Sequence, residues 1–291
     1  MTTTTTPETA THIRHDVIGV LDGQAAGALV WWELSGDVSR DALIGAWKAA
    51  GLDDGKVPDP VSPREALKRA LDDMRERHLL VRPLAGARGY SLVEERAEDQ
   101  KLEYAQQLTV QVDEAGALVF EPTIHPKQAE VVRRHFEQQW ILTPADISGM
   151  LLRFCEGLDS VPMRSRGGFY FLPPSGVEKF RLAAQVLRLV SSHSLYEVPA
   201  MKSAEAVTAI LAAVQHEAEA EAAAMVEILD SGEAGARALR SQSKRCERTE
   251  TKLARYEELL GQRLPELQAR LSTLRSRLTE AALVASTDTD A

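Results

Sequence analysis

Two adjacent glycines, Gly167 and Gly168, stand between a basic edge, Arg164-Ser165-Arg166, and an aromatic run, Phe169-Tyr170-Phe171-Leu172. A glycine pair tolerates positive φ at both central positions of a tight turn, and apolar and aromatic flanks favour strands. Residues 161–172 are therefore expected to form a β-hairpin. Pro173-Pro174 cannot donate to a sheet ladder and ends the second strand. Ser175 is placed to cap a helix from about Val177, in which Phe180, Leu182, Ala183, Val186, Leu187 and Val190 recur at helical spacing. Arg164 and Arg166, two apart on a strand, share one face. With Lys179 they make a candidate anion-binding edge, since guanidinium groups suit phosphate or carboxylate; the competing reading is a solvated sheet face.

The hairpin belongs to a small α+β domain expected over 123–200. A helix after His125-Pro126 has Ala129, Val131, Val132, Phe136 and Trp140 as its inner side. A second, capped at Thr143, carries Ile147, Met150, Leu151, Phe154 and Leu158, and a strand over 194–199 returns to the sheet.

Residues 15–122 form the expected N-terminal domain. Two strands fall within 17–34, a helix follows Ser39 and stops at Gly51, and Ser62-Pro63-Arg64-Glu65 opens another helix running to about Glu76. Strands over 79–84 and 90–94 then make a hairpin, and 104–112 and 117–120 supply two more. Helix, helix, hairpin is the order of a winged helix. Its second helix would offer Arg64, Lys68, Arg69 and Arg75 to nucleic acid, with Arg88 on the wing. Asp72, Asp73 and Glu76 lie on that same helix and oppose a phosphate.

The remainder is a helical arm, 201–285. Residues 202–230 carry an apolar side made by Val207, Ile210, Leu211, Val214, Ala218, Met225, Ile228 and Leu229. Gly232 and Gly235 break the helix, and another begins near Ala236. Leu260, Leu264, Leu267, Leu271, Leu274 and Leu278 then alternate four and three apart, the spacing of a coiled-coil seam. Pro265 kinks that stretch or starts a new helix after Gly261. The leucines are a candidate partner-helix interface, and antiparallel pairing with 203–230 inside the chain is the alternative.

A formal charge of -9 argues against a protein that coats nucleic acid through bulk electrostatics. No run of about 18 apolar residues occurs, so no membrane span is expected. Met1 and five threonines lack the features of a signal peptide, and 1–14 and 286–291 read as polar tails. Cys155 and Cys246 are two lone thiols suited to a reducing cytoplasm, Cys155 as a packed structural residue. Phosphate-loop, dinucleotide, zinc-protease and serine-hydrolase motifs are missing, so neither cofactor nor metal is expected, and no catalytic residue is assigned.

Val81-Arg82-Pro83-Leu84 leading to Gly89-Tyr90-Ser91-Leu92-Val93, with the later Gly167–Pro173 run, resembles an uncharacterised family of about this length from bacteria, archaea and their phages. The resemblance covers about 15–230 and implies no activity. The expectation is a non-catalytic cytoplasmic assembly or scaffold protein, phage- or mobile-element-associated. It would self-associate or bind a partner protein through its C-terminal helices. Nucleic-acid binding through the winged-helix-like region or the Arg164/Arg166 edge is the second expectation, and an enzyme with an unfamiliar site the third.

Overall fold

The computed structural model describes residues 25–76, 78–86, 88–98, 101–164 and 167–287. Among them are eight α-helices and three small antiparallel sheets, a mixed α+β fold. The expected strand at Val17–Leu21, Arg166 and the last residues of the C-terminal tail lie outside the described residues. No described helix is long and apolar enough to cross a membrane.

Two compact units emerge, and neither follows chain order. One gathers 25–33, 152–184 and 194–287; the other holds 34–151 and 185–193. Sequence boundaries at 122 and 200 divide the chain differently because β1 (Ala25–Glu33), expected in the N-terminal domain, pairs with strands far downstream. It lies between β9 (Phe169–Leu172) and β10 (Ser194–Met201), with β8 (Val161–Pro162) beyond β9, all antiparallel.

Register explains the aromatic run. Trp31 is opposite both Tyr196 and Phe169, and its ring stacks on Tyr196 at 5.2 Å and meets Phe169 at 6.1 Å. Trp32 stacks on Tyr170 at 5.3 Å. Aromatic cross-strand pairs of this kind hold a small sheet together beyond its backbone ladder.

The hairpin at 161–172 is present, but its turn is wider than two glycines require. Pairing stops at Pro162 opposite Tyr170, the Met163 N–H donates to the Phe169 carbonyl, and only Gly167 of the glycine pair has positive φ, at 84°. Phe169 donates its N–H to the Gly167 carbonyl, which folds the loop onto itself. The following helix, α5 (Pro174–Val190), starts earlier than Ser175 capping implies: Pro174 occupies its first position, where a missing N–H costs nothing.

The same unit ends in three helices, α6 (Ala204–Ser231), α7 (Ala236–Leu260) and α8 (Pro265–Thr287). Ser203 caps α6, and Gly232 and Gly261 end α6 and α7 in the left-handed region. Pro265 begins α8 rather than kinking it. Glu257 accepts hydrogen bonds from the Leu264 N–H and the Gln268 amide, so one carboxylate ties the α7–α8 turn. The bundle's apolar faces meet one another and one face of the sheet through Ala26, Val161, Phe171 and Ala200.

In the other unit, β2 (Val38–Ser39) pairs with β7 (Ile141–Leu142). Ser39 caps α1 (Arg40–Ala49), whose Trp47 is buried with its indole N–H donating to the Asp53 carbonyl at 3.0 Å. Ser62 caps α2 (Pro63–Asp73). The hairpin of β3 (Leu79–Pro83) and β4 (Gly89–Glu98) is the first half of a meander completed by β5 (Lys101–Val112) and β6 (Leu118–Glu121). α2 and α3 (Gln128–Gln139) supply Leu67, Leu71, Met74 and Val131 to its core with Leu92, Leu108 and Val110. β4 and β5 run past their neighbours as a charged two-stranded ribbon from Glu95↔Tyr104 to Glu98↔Lys101. The unit boundaries fall inside α4 (Pro144–Glu156) and α5.

Candidate functional site

The expected basic residues do not gather into one site. Arg64, Lys68 and Arg75 line a groove of about 650 Å³ beside β3 and β4, over Tyr90, but Glu65 and Asp72 line it too. Opposite charges a turn apart offset the cationic field that an anion would need. Arg69, read as an outward base, is largely covered and pairs with Asp146 at 3.2 Å. Burial would raise the Asp146 pKa, but bonds from Thr143 and Arg69 outweigh it and hold the carboxyl below its usual range. Arg88 is exposed in the β3–β4 turn. Arg164 is exposed and lays its guanidinium over Gly167, where an added Cβ would come within 2.6 Å of Nη2. Lys179 is exposed on α5, while its neighbour Arg181 grips Glu197 at 2.7 Å.

The leucine stripe is internal. Leu260, Leu267, Leu271, Leu274 and Leu278 are buried and Leu264 is half-buried, all in the core shared by α6, α7 and α8. An antiparallel α7–α8 pair follows from Ser243 meeting Thr279 and Cys246 meeting the Leu271 carbonyl. The seam is thus filled by the chain's own helices. Both thiols are packed: burial pushes Cys155 up to about 12 and Cys246 up to about 11, which keeps them protonated and unreactive at neutral pH.

The largest departure from the sequence reading is on α3. Of the five residues expected inside, only Val131 is buried. Val132, Phe136 and Trp140 are 46%, 64% and 36% exposed, and Ala129 is exposed beside them. His135 points inward in their place, donating from Nε2 to the Pro63 carbonyl at 2.9 Å. The outward side chains stand four apart, so they form one ridge. Together they leave roughly 300 Å² of apolar surface in contact with water, the lower end of the range for the largest patch on a typical monomer, which is often functional. On one flank, Arg133 holds Glu137 at 2.7 Å, and Arg134 holds Glu130 behind them.

His193 is a second buried polar feature. Its Nδ1 accepts the Ser35 N–H at 3.1 Å, which places the ring proton on Nε2, and Nε2 is buried without a hydrogen-bond partner. Burial lowers the imidazole's pKa below its ordinary value. The unfolded chain therefore takes up a proton near pH 6.5 that the folded chain refuses, so stability is full above that pH and falls as acid is added. Denaturant midpoints from pH 7 to 5 are expected to fall more steeply for the native chain than for His193→Asn, whose amide oxygen can still accept from Ser35. Parallel profiles would show that His193 is not the acid-sensitive group.

These features define a mixed α+β protein of antiparallel sheets and a helical bundle, with an apolar ridge left outside. The chain belongs to the family of unknown function DUF6744, whose model matches residues 26–287. No curated protein and no solved structure matches it.

Proposed function

We propose that the protein is a non-catalytic assembly protein whose docking face for another polypeptide is the outer side of α3. The observation that carries this reading is the line of Val132, Phe136 and Trp140, three large apolar side chains exposed along one helix and its C-cap. Singly scattered apolar residues are ordinary on a protein surface, whereas a ridge at helical spacing is what an amphipathic partner helix recognises. The Arg133–Glu137 pair supplies a polar rim on one flank. Since the leucines of α8 are occupied within the bundle, α3 takes the role that the sequence had placed on the arm.

A photo-crosslinking benzoylphenylalanine at position 136 of the full chain is expected to give one discrete polypeptide adduct in extract of cells making the native protein. Peptide mapping should run the crosslink through residue 136. The same group at Leu189, 80% exposed, should give none. Val132→Glu, at an outward position, should abolish the adduct. No discrete adduct at 136, or one indifferent to Val132→Glu, overturns the proposal.

A further inference from the structure

The α3 ridge carries its own complement. Around the helix, Ala129, Val132, Phe136 and Trp140 occupy one stripe, and Arg133 and Glu137 occupy a single flank of it. The opposite flank turns down toward buried Val131 and His135. A one-sided arrangement matters because a two-fold axis perpendicular to a helix reverses its direction but keeps each flank on the same side.

Resting on the reading of α3 as a docking face, we infer that the polypeptide it takes is a second copy of this chain, paired antiparallel about a two-fold axis near residues 135–136. Phe136 then meets its equivalent in the other copy, and Val132 meets Trp140, so large side chains face small ones at both ends. The flanking charges fall into step with the same axis. Arg133 lies beside the other copy's Glu137, and Glu137 beside the other copy's Arg133. The pair already joined within each chain, with Arg133 Nη1 at 2.7 Å and 2.8 Å from the two Glu137 oxygens, becomes half of a square of alternating sign. A parallel two-fold pairing would instead carry the two flanks to opposite sides, leaving neither Arg133 nor Glu137 a counter-charge in the other copy. Charge order therefore selects the antiparallel register and discriminates against unlike helices without the matching pair. A contact of this size is at the small end of specific interfaces, so the dimer is weak, with a dissociation constant on the order of 10 µM.

Sedimentation or light scattering of the full chain from about 1 to 100 µM, the range that brackets such an interface, should show mass rising toward twice that of the monomer. Arg133→Glu alone and Glu137→Arg alone set like charges opposite each other, and each should weaken dimerisation at least tenfold. Mixed in equal amounts, the two single variants restore opposite charges across the axis and should dimerise again. The double reversal in one chain should also recover. Unchanged circular dichroism and melting of each variant shows that the fold is intact. A native chain that stays monomeric throughout, or single variants that do not rescue each other, overturns self-pairing. If position 136 still crosslinks to a different polypeptide, the docking face stands and only its partner was misassigned; with no adduct at all, both readings fail.

Discussion

Gly27→Ala is expected to cost about 3 kcal/mol or more and to lower the melting temperature by on the order of 10 °C. Gly27 lies in β1 at a register shift against β10, with φ at 154°. A Cβ there would sit 2.2 Å from the Leu172 carbonyl oxygen and 2.6 Å from the Phe171 ring. The oxygen is backbone in the neighbouring strand and the ring is fully buried against the helical bundle, so neither can yield by a rotamer change. Relief requires moving β9 away from β1, which loosens the centre of the sheet and the face on which the bundle rests. Gly45→Ala is the control of opposite sign. That glycine is inside α1, exposed, with nothing within 4 Å of an added Cβ, so alanine should stabilise by about 0.5–1 kcal/mol through helix propensity alone. Thermal melts followed by circular dichroism would compare the two. A Gly27→Ala protein that melts with the native chain would mean that the close approach of β1 to β9 is not needed for the fold.

The same contrast shows what could be read from the chain. Punctuation was legible because it is chemistry local to a few residues: Ser39 and Ser62 cap their helices, Gly232 and Gly261 stop theirs, and Pro265 starts a new one. Strand partnership was not. The composition of β1 announces a strand, yet nothing in Val30 or Trp31 states that Tyr170, Phe169, Glu197 and Tyr196 will lie opposite, more than a hundred residues later. The β4–β5 ribbon hid for another reason. Its outer part has no buried face, Leu102 and Tyr104 both being exposed, and is held by backbone pairing with polar contacts such as Tyr104 Oη to Glu95.

Helix α3 marks where periodicity misleads. Apolar residues at positions 132, 136 and 140 predict an inner face, yet they are exposed and His135 is buried. The structure turns that line outward and His135 inward: a second lone pair on the Pro63 carbonyl accepts the His135 Nε2–H, and that bond makes the imidazole an acceptable buried group. An apolar ridge pointing outward is invisible to any rule that equates apolar with inside. It becomes informative once a competing inner face is known. The C-terminal leucines illustrate the complementary ambiguity: their spacing marks an apolar seam, but spacing alone does not tell whether the chain fills it with itself, as it does here.

Lys252→Met is expected to destabilise by about 2–3 kcal/mol at pH 7, and by less at pH 5. Lys252 Nζ donates to Glu217 at 2.6 Å and to the Ser160 carbonyl at 2.6 Å, joining α7, α6 and the loop before β8. The two side chains are 18% and 26% exposed, so the figure is set below the ~3–5 kcal/mol of a fully buried pair that loses one member. Around the same loop, Tyr256 donates to the Asp159 carbonyl and Arg255 pairs with the Asp159 carboxylate, so the loop itself should persist in the variant. What remains is a carboxylate without its counter-charge. Burial already raises the Glu217 pKa, outweighing the pull of Lys252, with Glu221 and Glu156 adding to the rise. A carboxyl whose folded pKa lies above its unfolded value binds more protons when folded, so its contribution to stability falls as pH rises through that interval. Removing Lys252 lifts the folded pKa further and widens the interval. The gap between variant and native chain should therefore grow from pH 5 to 8 in denaturant titrations, and Glu217→Leu added to Lys252→Met should close most of it, because two apolar groups need no pairing. A gap that is flat with pH, or a double variant as unstable as the two single losses added together, would mean that Lys252 acts through its bond to Ser160 rather than by neutralising Glu217.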